Sequence, residues 1–241
     1  MRSIILAAGR GSRLPNYLSK YPKCFLKFKN KRLIDLQISN LEKNNIKKIS
    51  IITGYKKYLF KNFGKKIFFN KRWKETNMFY SLLKADKWLS KYECLVSYGD
   101  IYYDGDKIKK FLLSKKPISI LYDINWKKLW KKRFNNPLED AETFKINKNQ
   151  QIKEIGKKTK KYSDIQGQYM GIIKFTPTGW KKFKKIVLKN FSNKIDKIYL
   201  TDAIQSVIET KSLPIFGVKY SKKWMEIDNL NDYKILKKYY K

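Results

Sequence analysis

The first residues that could do chemistry are glycines and basic side chains near the start of the chain. The apolar run IILAA at 4–8 passes into GRGSR at 9–13, and Lys23 follows. Glycine lets backbone N–H groups approach a phosphate closely, and successive N–H groups can form an anion-binding turn. Arg10, Arg13 and Lys23 add positive charge that suits a polyphosphate. The segment therefore predicts phosphate binding, and the alternative is an ordinary turn after a strand.

Three other interpretations of this segment fail on particular residues. The dinucleotide-binding pattern G-x-G-x-x-G lacks its third glycine, because Leu14 stands at that position. No Gly-Lys-Ser/Thr follows, which excludes a Walker phosphate loop. A signal peptide needs a longer apolar run, and here arginines come soon after 4–8.

Two aspartates follow strand-like segments and could hold a divalent cation. Asp100 comes shortly after the apolar segment 95–98, and Asp228 follows the short segment 225–227. A carboxylate at a strand end can hold Mg²⁺ against phosphate oxygens, although a single aspartate there more often caps a loop. The DGD at 104–106 mimics a metal-binding D-x-D but lies beyond the strand end, so we interpret it as a turn that starts a helix.

Acidic and aromatic residues in the middle of the chain could recognise a cation. Three acidic residues cluster within 139–142, in a chain that has only 20. Asp123, Trp126 and Trp130 could hold an ammonium group through charge and cation–π contact. The competing interpretations are a solvated turn for the carboxylates and core packing for the two tryptophans.

The composition excludes several classes of function. The chain has 241 residues, a formal net charge of +36 and no histidine, which removes histidine-dependent nucleophilic catalysis and histidine metal sites. The charge favours nucleic-acid binding, but only 6 of the 56 basic residues are arginine and the lysines are spread along the chain. We therefore expect no specific nucleic-acid partner, and a basic RNA-binding protein is the alternative from another class.

Membrane and redox signals are weak. No apolar run approaches the ~18 residues of a membrane span, so we expect no membrane partner. Cys24 and Cys94 show no metal or redox spacing, which fits a reducing cytoplasm. The oligomeric state, monomer or homodimer, stays open.

Alternating strand-like and helix-like patterns predict an α/β fold. We expect a Rossmann-like, mostly parallel twisted sheet flanked by helices, with ligands beyond the carboxyl ends of the strands. Gly9, Gly54 and Gly99 would share that rim. The shorter period of 123–175 predicts antiparallel strands in a small subdomain or lid. The expected strands are 3–7, 48–53, 67–70, 95–98, 118–122 and 225–227, and the expected helices are 33–41, 76–89, 177–190, 199–210 and 230–240.

The N-terminal motif resembles that of the nucleotidyltransferases that join a nucleotide to sugar phosphates and other small phosphorylated metabolites. Their pattern reads roughly L-A-A-G-x-G-x-R-L followed by P-K, and every fixed position is present at 6–14 and 22–23. The resemblance implies a single nucleotidyltransferase domain over 1–241. It also implies that Asp100 and Asp228 jointly bind Mg²⁺.

Segments in the middle of the chain resemble the cytidylyltransferases that activate phosphocholine and phosphonates. Those for 2-aminoethylphosphonate and for phosphoglutamine look similar here. The resemblance implies CTP and a small phosphoryl acceptor as substrates, with 123–175 as an inserted acceptor-binding subdomain. The segments that carry it are NKRW at 70–73, TNMFYSL at 76–82, Arg133, NPLEDAET at 136–143, EIGKK at 154–158 and QGQYMG at 166–171.

These motifs give a set of expected site residues. The catalytic residues are Arg13, Lys23 and Lys158, of which Lys158 orients the acceptor. The nucleotide-binding residues are Leu6, Ala7, Ala8, Gly9, Arg10, Gly11, Ser12, Arg13, Lys23, Gly54, Asn77, Ser81 and Asp100. The acceptor-binding residues are Asp123, Trp126, Trp130, Glu139, Asp140, Glu142, Lys158, Gln168 and Tyr169.

We therefore expect a Mg²⁺-dependent cytidylyltransferase, in which an acceptor oxygen attacks the α-phosphorus of CTP and pyrophosphate leaves. The first acceptor expected is 2-aminoethylphosphonate, then phosphoglutamine, then phosphocholine. A sugar-1-phosphate nucleotidyltransferase is the alternative within the fold. A noncatalytic relative is a further alternative, which the intact aspartate pair disfavours.

Overall fold

A seven-stranded sheet forms the centre of the protein in a computed structural model that describes residues 1–240. The strands are β1 (Arg2–Ala7), β2 (Lys27–Phe28), β3 (Lys31–Arg32), β4 (Ile49–Thr53), β5 (Lys66–Phe69), β6 (Cys94–Tyr98), β7 (Ile101–Tyr103), β8 (Ile118–Asp123), β9 (Glu142–Ile146), β10 (Ile152–Lys158), β11 (Gln168–Phe175), β12 (Phe216–Tyr220) and β13 (Trp224–Glu226). The helices are α1 (Leu33–Lys43), α2 (Met78–Leu83), α3 (Asp86–Leu89), α4 (Lys109–Leu112), α5 (Trp126–Arg133), α6 (Pro177–Asn190), α7 (Leu200–Glu209) and α8 (Leu230–Tyr239). Within residues 1–240, none of the helices is long and apolar enough to cross a membrane.

The central sheet has the strand order β12-β8-β11-β6-β1-β4-β5. β1 lies between β4 and β6 and is parallel to both. β4 with β5 and β8 with β12 are also parallel pairs, whereas β11 runs antiparallel to its neighbours β6 and β8. Strands covered on both faces read as continuous apolar runs, and Ile4, Ile5, Ile51 and Ile52 are fully buried. The predicted mostly parallel sheet is confirmed.

The predicted helix 76–89 is wrong as a single helix, because the chain forms α2 and α3 instead. The N–H of Lys84 donates to the carbonyl of Ser81 at 3.1 Å, and the N–H of Ala85 donates to that of Leu82 at 3.0 Å. These i to i+3 bonds tighten the last turn and end α2 before α3 begins. The other predicted helices agree with α1, α6, α7 and α8 apart from a residue or two at their ends.

Residues 123–175 divide between two places in the fold. β9 and β10 form a separate antiparallel hairpin. This hairpin packs against α7, where the N–H of Ile155 donates to Gln205 Oε1 at 2.9 Å. β11, in contrast, is a strand of the central sheet. The predicted antiparallel strands are therefore present, but the hairpin is shorter than the expected subdomain, whose acceptor-binding role stays a prediction.

The turn after β7 behaves as the sequence indicated. The carboxylate of Asp104 accepts a hydrogen bond from the N–H of Asp106 at 3.3 Å. Asp104 thereby caps a 3-10 turn at Gly105–Lys107, which leads into α4. The DGD at 104–106 is thus a helix-starting turn.

The chain passes closely around the carboxyl end of β1. The N–H of Gly99 donates to the carbonyl of Leu6 at 2.8 Å, and the N–H of Tyr55 donates to that of Ala8 at 2.9 Å. A Cβ at position 99 would lie 2.7 Å from the Leu6 carbonyl oxygen, so only glycine allows this approach. Gly9, Gly54 and Gly99 therefore surround one rim of the sheet, as expected.

Candidate active site

A cleft of about 360 Å³ opens at the carboxyl ends of β1 and β6. The expected nucleotide-binding residues all line this cleft except Gly54. Gly54 lies directly against Trp73, which is a lining residue, so closely that a Cβ at position 54 would collide with the Trp73 side chain. The other lining residues are Pro22, Cys24, Trp73, Thr76, Met78, Tyr98, Gly99, Tyr199, Glu226 and Asp228.

The turn at 9–13 and Lys23 are packed as one unit. Gly11 has a φ of +80°, a left-handed conformation that other residues rarely adopt. A Cβ at this position would also collide with the side chain of Lys23. The Lys23 side chain is only 13% exposed, whereas that of Arg13 is 66% exposed. The turn is therefore flanked by one buried and one exposed cation.

Three carboxylates converge on one side of the cleft. β13 pairs with β7 so that Glu226 stands opposite Ile101, and the N–H of Ile227 donates to the carbonyl of Asp100 at 3.0 Å. This pairing brings Asp228 beside Asp100. The two aspartates and Glu226 each offer one oxygen, and these oxygens lie within 4.8 Å of one another. The expected aspartate pair is thus assembled, with Glu226 as a third member.

Lys23 and Arg13 balance part of this negative charge. Lys23 Nζ lies 3.1 Å from Asp100 Oδ2 and 2.9 Å from Asp228 Oδ1, and Arg13 Nη2 lies 2.5 Å from the same Asp228 oxygen. Burial alone would lower the pKa of Lys23, but Asp100 and Asp228 raise it above its usual value. Burial disfavours the charged form of Asp228, yet Lys23 and Arg13 hold its pKa below the usual range. Lys23 and Asp228 are therefore both charged at neutral pH.

Glu226 completes a donor set that suits a hard divalent cation. Burial, followed by the charges of Asp228 and Asp100, raises the pKa of Glu226 well above its usual value. A bound dication would relieve this crowding of carboxylates. Oxygen-only ligands of this kind are those that Mg²⁺ prefers. Asp100, Glu226 and Asp228 therefore fit a magnesium site.

The expected cation pocket of Asp123, Trp126 and Trp130 is not supported by this geometry. Asp123 Oδ2 accepts a hydrogen bond from Trp224 Nε1 at 2.9 Å, and its Oδ1 accepts one from the N–H of Asn125 at 2.7 Å. Trp126 and Trp130 are each 5% exposed and belong to the hydrophobic core. None of the three lines the cleft. Both tryptophans pack as core residues because α5 is covered by neighbouring elements.

We predict that Trp126→Leu lowers stability and leaves acceptor binding unchanged. Trp126 donates its indole N–H to the carbonyl of Ile165 at 3.2 Å, and losing this buried ring should cost ~2–4 kcal/mol of unfolding free energy. Urea unfolding and the KM for amine-bearing acceptors would measure the two effects. A cation–π contact is worth ~0.5–2 kcal/mol, so its loss would raise the KM by about 2–30-fold. An increase of this size for aminated acceptors alone would contradict the prediction and show that Trp126 belongs to a cation pocket.

The other expected acceptor residues lie together at the β9–β10 hairpin. Lys158 stands opposite Glu142 in the hairpin register. Lys158 Nζ donates to the carbonyl of Glu139 at 3.4 Å, and Gln168 Nε2 donates to that of Glu142 at 2.5 Å. Asp140 lies close by, where its Oδ2 accepts a hydrogen bond from the Trp130 indole at 3.0 Å. The hairpin therefore gathers most of this set.

Tyr169 connects the hairpin group to the cleft. Its ring meets that of Tyr98 edge to face, with centroids 5.9 Å apart, and Tyr98 lines the cleft. The Tyr169 hydroxyl is buried and finds no hydrogen-bond partner in the part of the chain that the structure describes. The hairpin group therefore adjoins the cleft behind its Tyr98 wall.

The pKa of Glu142 makes a prediction about stability against pH. Burial raises this pKa to about 7; nearby Lys158 opposes the shift, and Asp140 adds to it. Between the unfolded value near 4.5 and 7, the folded protein binds more protons at this site, so stability falls as pH rises. Raising the pH from 4.5 to 8 should therefore lower the free energy of unfolding of the wild type more than that of Glu142→Gln, by ~1–3 kcal/mol. Urea unfolding of both proteins at the two pH values would measure this difference. Equal pH profiles for the two proteins would contradict the shift.

Glu226 is the main site residue that the sequence analysis missed. A signal existed, because Glu226 stands two positions before Asp228 in a chain with few acidic residues. Tyr199 was missed for another reason. It reaches the cleft because the segment before α7 closes against the start of α2, where the N–H of Asn77 donates to the carbonyl of Asp196 at 2.7 Å. No local pattern could indicate that contact.

The fold and the cleft together define a nucleotidyltransferase. A glycine turn at the end of the central strand faces carboxylates from two other segments, beside a buried lysine. Residues 3–118 match the family model described as the MobA-like NTP transferase domain.

Comparison with known proteins places the chain more closely. It is 36% identical over 255 aligned residues to CTP:phosphoglutamine cytidylyltransferase of Campylobacter jejuni, with 98% of each protein covered. It is 41% identical over 86 residues to choline-phosphate cytidylyltransferase of Streptococcus pneumoniae, which covers 34% of this chain and 38% of that one. The solved structure of CTP:phosphocholine cytidylyltransferase from Streptococcus pneumoniae has the same fold, with a TM-score of 0.74, 22% identity and coverage of 100% and 99%. The chain belongs to the nucleotidyltransferase family, among its cytidylyltransferases.

Proposed function

We propose that the protein transfers CMP from CTP to a small phosphoryl acceptor and releases pyrophosphate. The observation that carries this proposal is the convergence of the 9–13 turn, Lys23 and three carboxylates in one cleft. Similarity to a cytidylyltransferase over nearly the whole chain supports CTP as the nucleotide. The proposal includes one domain over 1–241 with the hairpin region as its acceptor subdomain. It also includes a cytoplasmic location, which the buried free thiols of Cys24 and Cys94 support.

Each group in the cleft has a role in this reaction. The N–H groups of the 9–13 turn would hold the triphosphate, while Arg13 and Lys23 would stabilise the charge that develops on the departing pyrophosphate. Asp100, Glu226 and Asp228 would hold Mg²⁺. When bound, that ion neutralises phosphate charge and helps to orient the substrate. The acceptor phosphoryl group has a second pKa near 6, so it is already largely ionised at pH 7 and no general base is required.

The acceptor proposal rests on the hairpin group. Lys158 supplies a positive charge that could orient the acceptor phosphoryl group. Phosphoglutamine becomes the first acceptor to test, because the relative that matches over the whole chain carries it in its name. Next come 2-aminoethylphosphonate and then phosphocholine. Phosphocholine comes last because Trp126 and Trp130, the two tryptophans expected to hold its cation, are buried in the core.

A pyrophosphate-release assay tests this function directly. Purified protein with Mg²⁺ would be given each of the four NTPs together with phosphoglutamine, 2-aminoethylphosphonate, phosphocholine or glucose-1-phosphate. Release with CTP and one of the first three acceptors is expected, and mass analysis would identify the CMP adduct. Release only with glucose-1-phosphate would move the protein to the sugar-phosphate branch. Salt-sensitive RNA affinity without CTP binding would favour the basic RNA-binding alternative.

A further inference from the structure

The side chain of Arg133 is buried beside the carboxylate cluster and does not line the cleft. Its Nε and Nη2 form a two-pronged pair with Asp232 Oδ1 and Oδ2, at 2.8 and 3.2 Å. Nη2 also lies 3.6 Å from Asp228 Oδ2. The Arg133 side chain is 2% exposed and that of Asp232 is not exposed. The chain thus buries a complete ion pair directly beside Asp228.

Asp232 holds the backbone of the segment that carries Asp228. Its Oδ2 accepts hydrogen bonds from the N–H of Asp228 at 2.9 Å and from the N–H of Asn229 at 3.2 Å. Asn231 Nδ2 donates in turn to the carbonyl of Arg133 at 3.1 Å, which ties the start of α8 to the end of α5. The pair therefore fixes both the main chain and the surroundings of Asp228.

The two oxygens of Asp228 face different groups. Oδ1 faces the cleft, where it meets Arg13 and Lys23, and Oδ2 faces Arg133. A carboxylate held on one oxygen by a buried cation presents its other oxygen in a defined direction. The planar fork of arginine suits this task, because it can bind two oxygens while a third group lies alongside.

We propose that Arg133, paired with Asp232, is a positioning residue that aims Asp228 Oδ1 at the metal position of the cleft. This inference rests on the proposed function. A buried ion pair is weak support for stability by itself, since well-packed apolar residues often do as well. Its placement against Asp228 gives it a role in orienting this carboxylate.

The test measures Mn²⁺ binding as well as activity. Binding of Mn²⁺ alone would be followed by the loss of the free-ion paramagnetic resonance signal, in wild type, Arg133→Lys and Asp232→Asn. Arg133→Lys keeps the charge but loses the fork, and Asp232→Asn keeps the shape but loses the charge. We expect both variants to weaken Mn²⁺ binding by about 10–100-fold. The Mg²⁺ concentration for half-maximal activity should rise in parallel, while the KM for CTP at saturating Mg²⁺ changes less.

Lys174→Met is the matched control. Lys174 is also buried, and its Nζ donates to the carbonyls of Leu112 and Ser114 at 2.9 and 2.6 Å, on a different part of the sheet. This variant should lose stability and keep wild-type Mn²⁺ binding. Wild-type Mn²⁺ binding in folded Arg133→Lys and Asp232→Asn would overturn the inference while leaving the proposed function intact. Absence of Mn²⁺ binding in the wild type would overturn the proposed metal site and this inference with it.

Discussion

Asp100→Asn should lower kcat for CTP-dependent pyrophosphate release by about a thousandfold, or ~4 kcal/mol of transition-state stabilisation. Asparagine keeps the size of the side chain but removes the negative charge that a divalent cation requires. The change also removes the anionic partner of Lys23 Nζ, now 3.1 Å from Asp100 Oδ2. Steady-state kinetics at saturating CTP and acceptor would measure the loss.

Asp104→Asn is the matched control for this prediction. Asp104 lies four positions further along the chain, where its carboxylate caps a turn by accepting the N–H of Asp106. Asparagine caps such turns about as well as aspartate, so activity should stay near that of the wild type. If Asp100→Asn kept most of the activity, the assignment of the carboxylate cluster as the metal site would be wrong.

Lys23→Met should cause the second large loss, about a hundred- to thousandfold in kcat. Methionine keeps the apolar stem that packs across Gly11 but removes the ammonium group. Asp100 and Asp228 would then lose the cation that lies within 3.1 Å of both. The charge developing on pyrophosphate would lose a buried donor, so kcat should fall more than the KM for CTP rises. Single-turnover measurements would separate these effects.

Lys20→Met in the same segment separates local charge from the specific contact. Lys20 is exposed and outside the cleft lining. Its loss removes the same formal charge from a chain with a net charge of +36, so it should change kcat little. Equal losses from both substitutions would show that general positive charge, and not the Lys23 contact, supports turnover.

The sequence predicted the parts of the fold that depend on local pattern. β1, β4, β6 and β8 are covered on both faces, so their residues form mainly apolar runs that can be recognised without knowledge of neighbours. The glycine turn was predictable because few residues other than glycine can adopt a φ as positive as that of Gly11. Each aspartate could be picked out because it follows a strand, but their pairing was implied only by the resemblance to the nucleotidyltransferases.

The remaining features depend on contacts between distant segments. An apolar run such as β11 carries no sign of its direction, so its antiparallel place between β6 and β8 was not predictable. A tryptophan in a hydrophobic core cannot be told from one in a cation pocket by its sequence alone. Only the packing of α5 shows that Trp126 and Trp130 belong to the core. Glu226 lies within a strand, where an acidic residue would ordinarily face solvent, and only the pairing of β13 with β7 turns it towards Asp100.

The reversed strand β11 has a consequence for the order in which the chain folds. β6 pairs with β1 on one edge and with β11 on the other, and β11 ends at Phe175. A chain that stops at 118 would leave an apolar strand with unpaired N–H and C=O groups, a template for aggregation. The segment 3–118 that matches the family model therefore lacks the strand that pairs with the second edge of β6. During synthesis, β6 can gain its second neighbour only after more than two-thirds of the chain has left the ribosome, and the sheet is complete only when β12 (Phe216–Tyr220) follows.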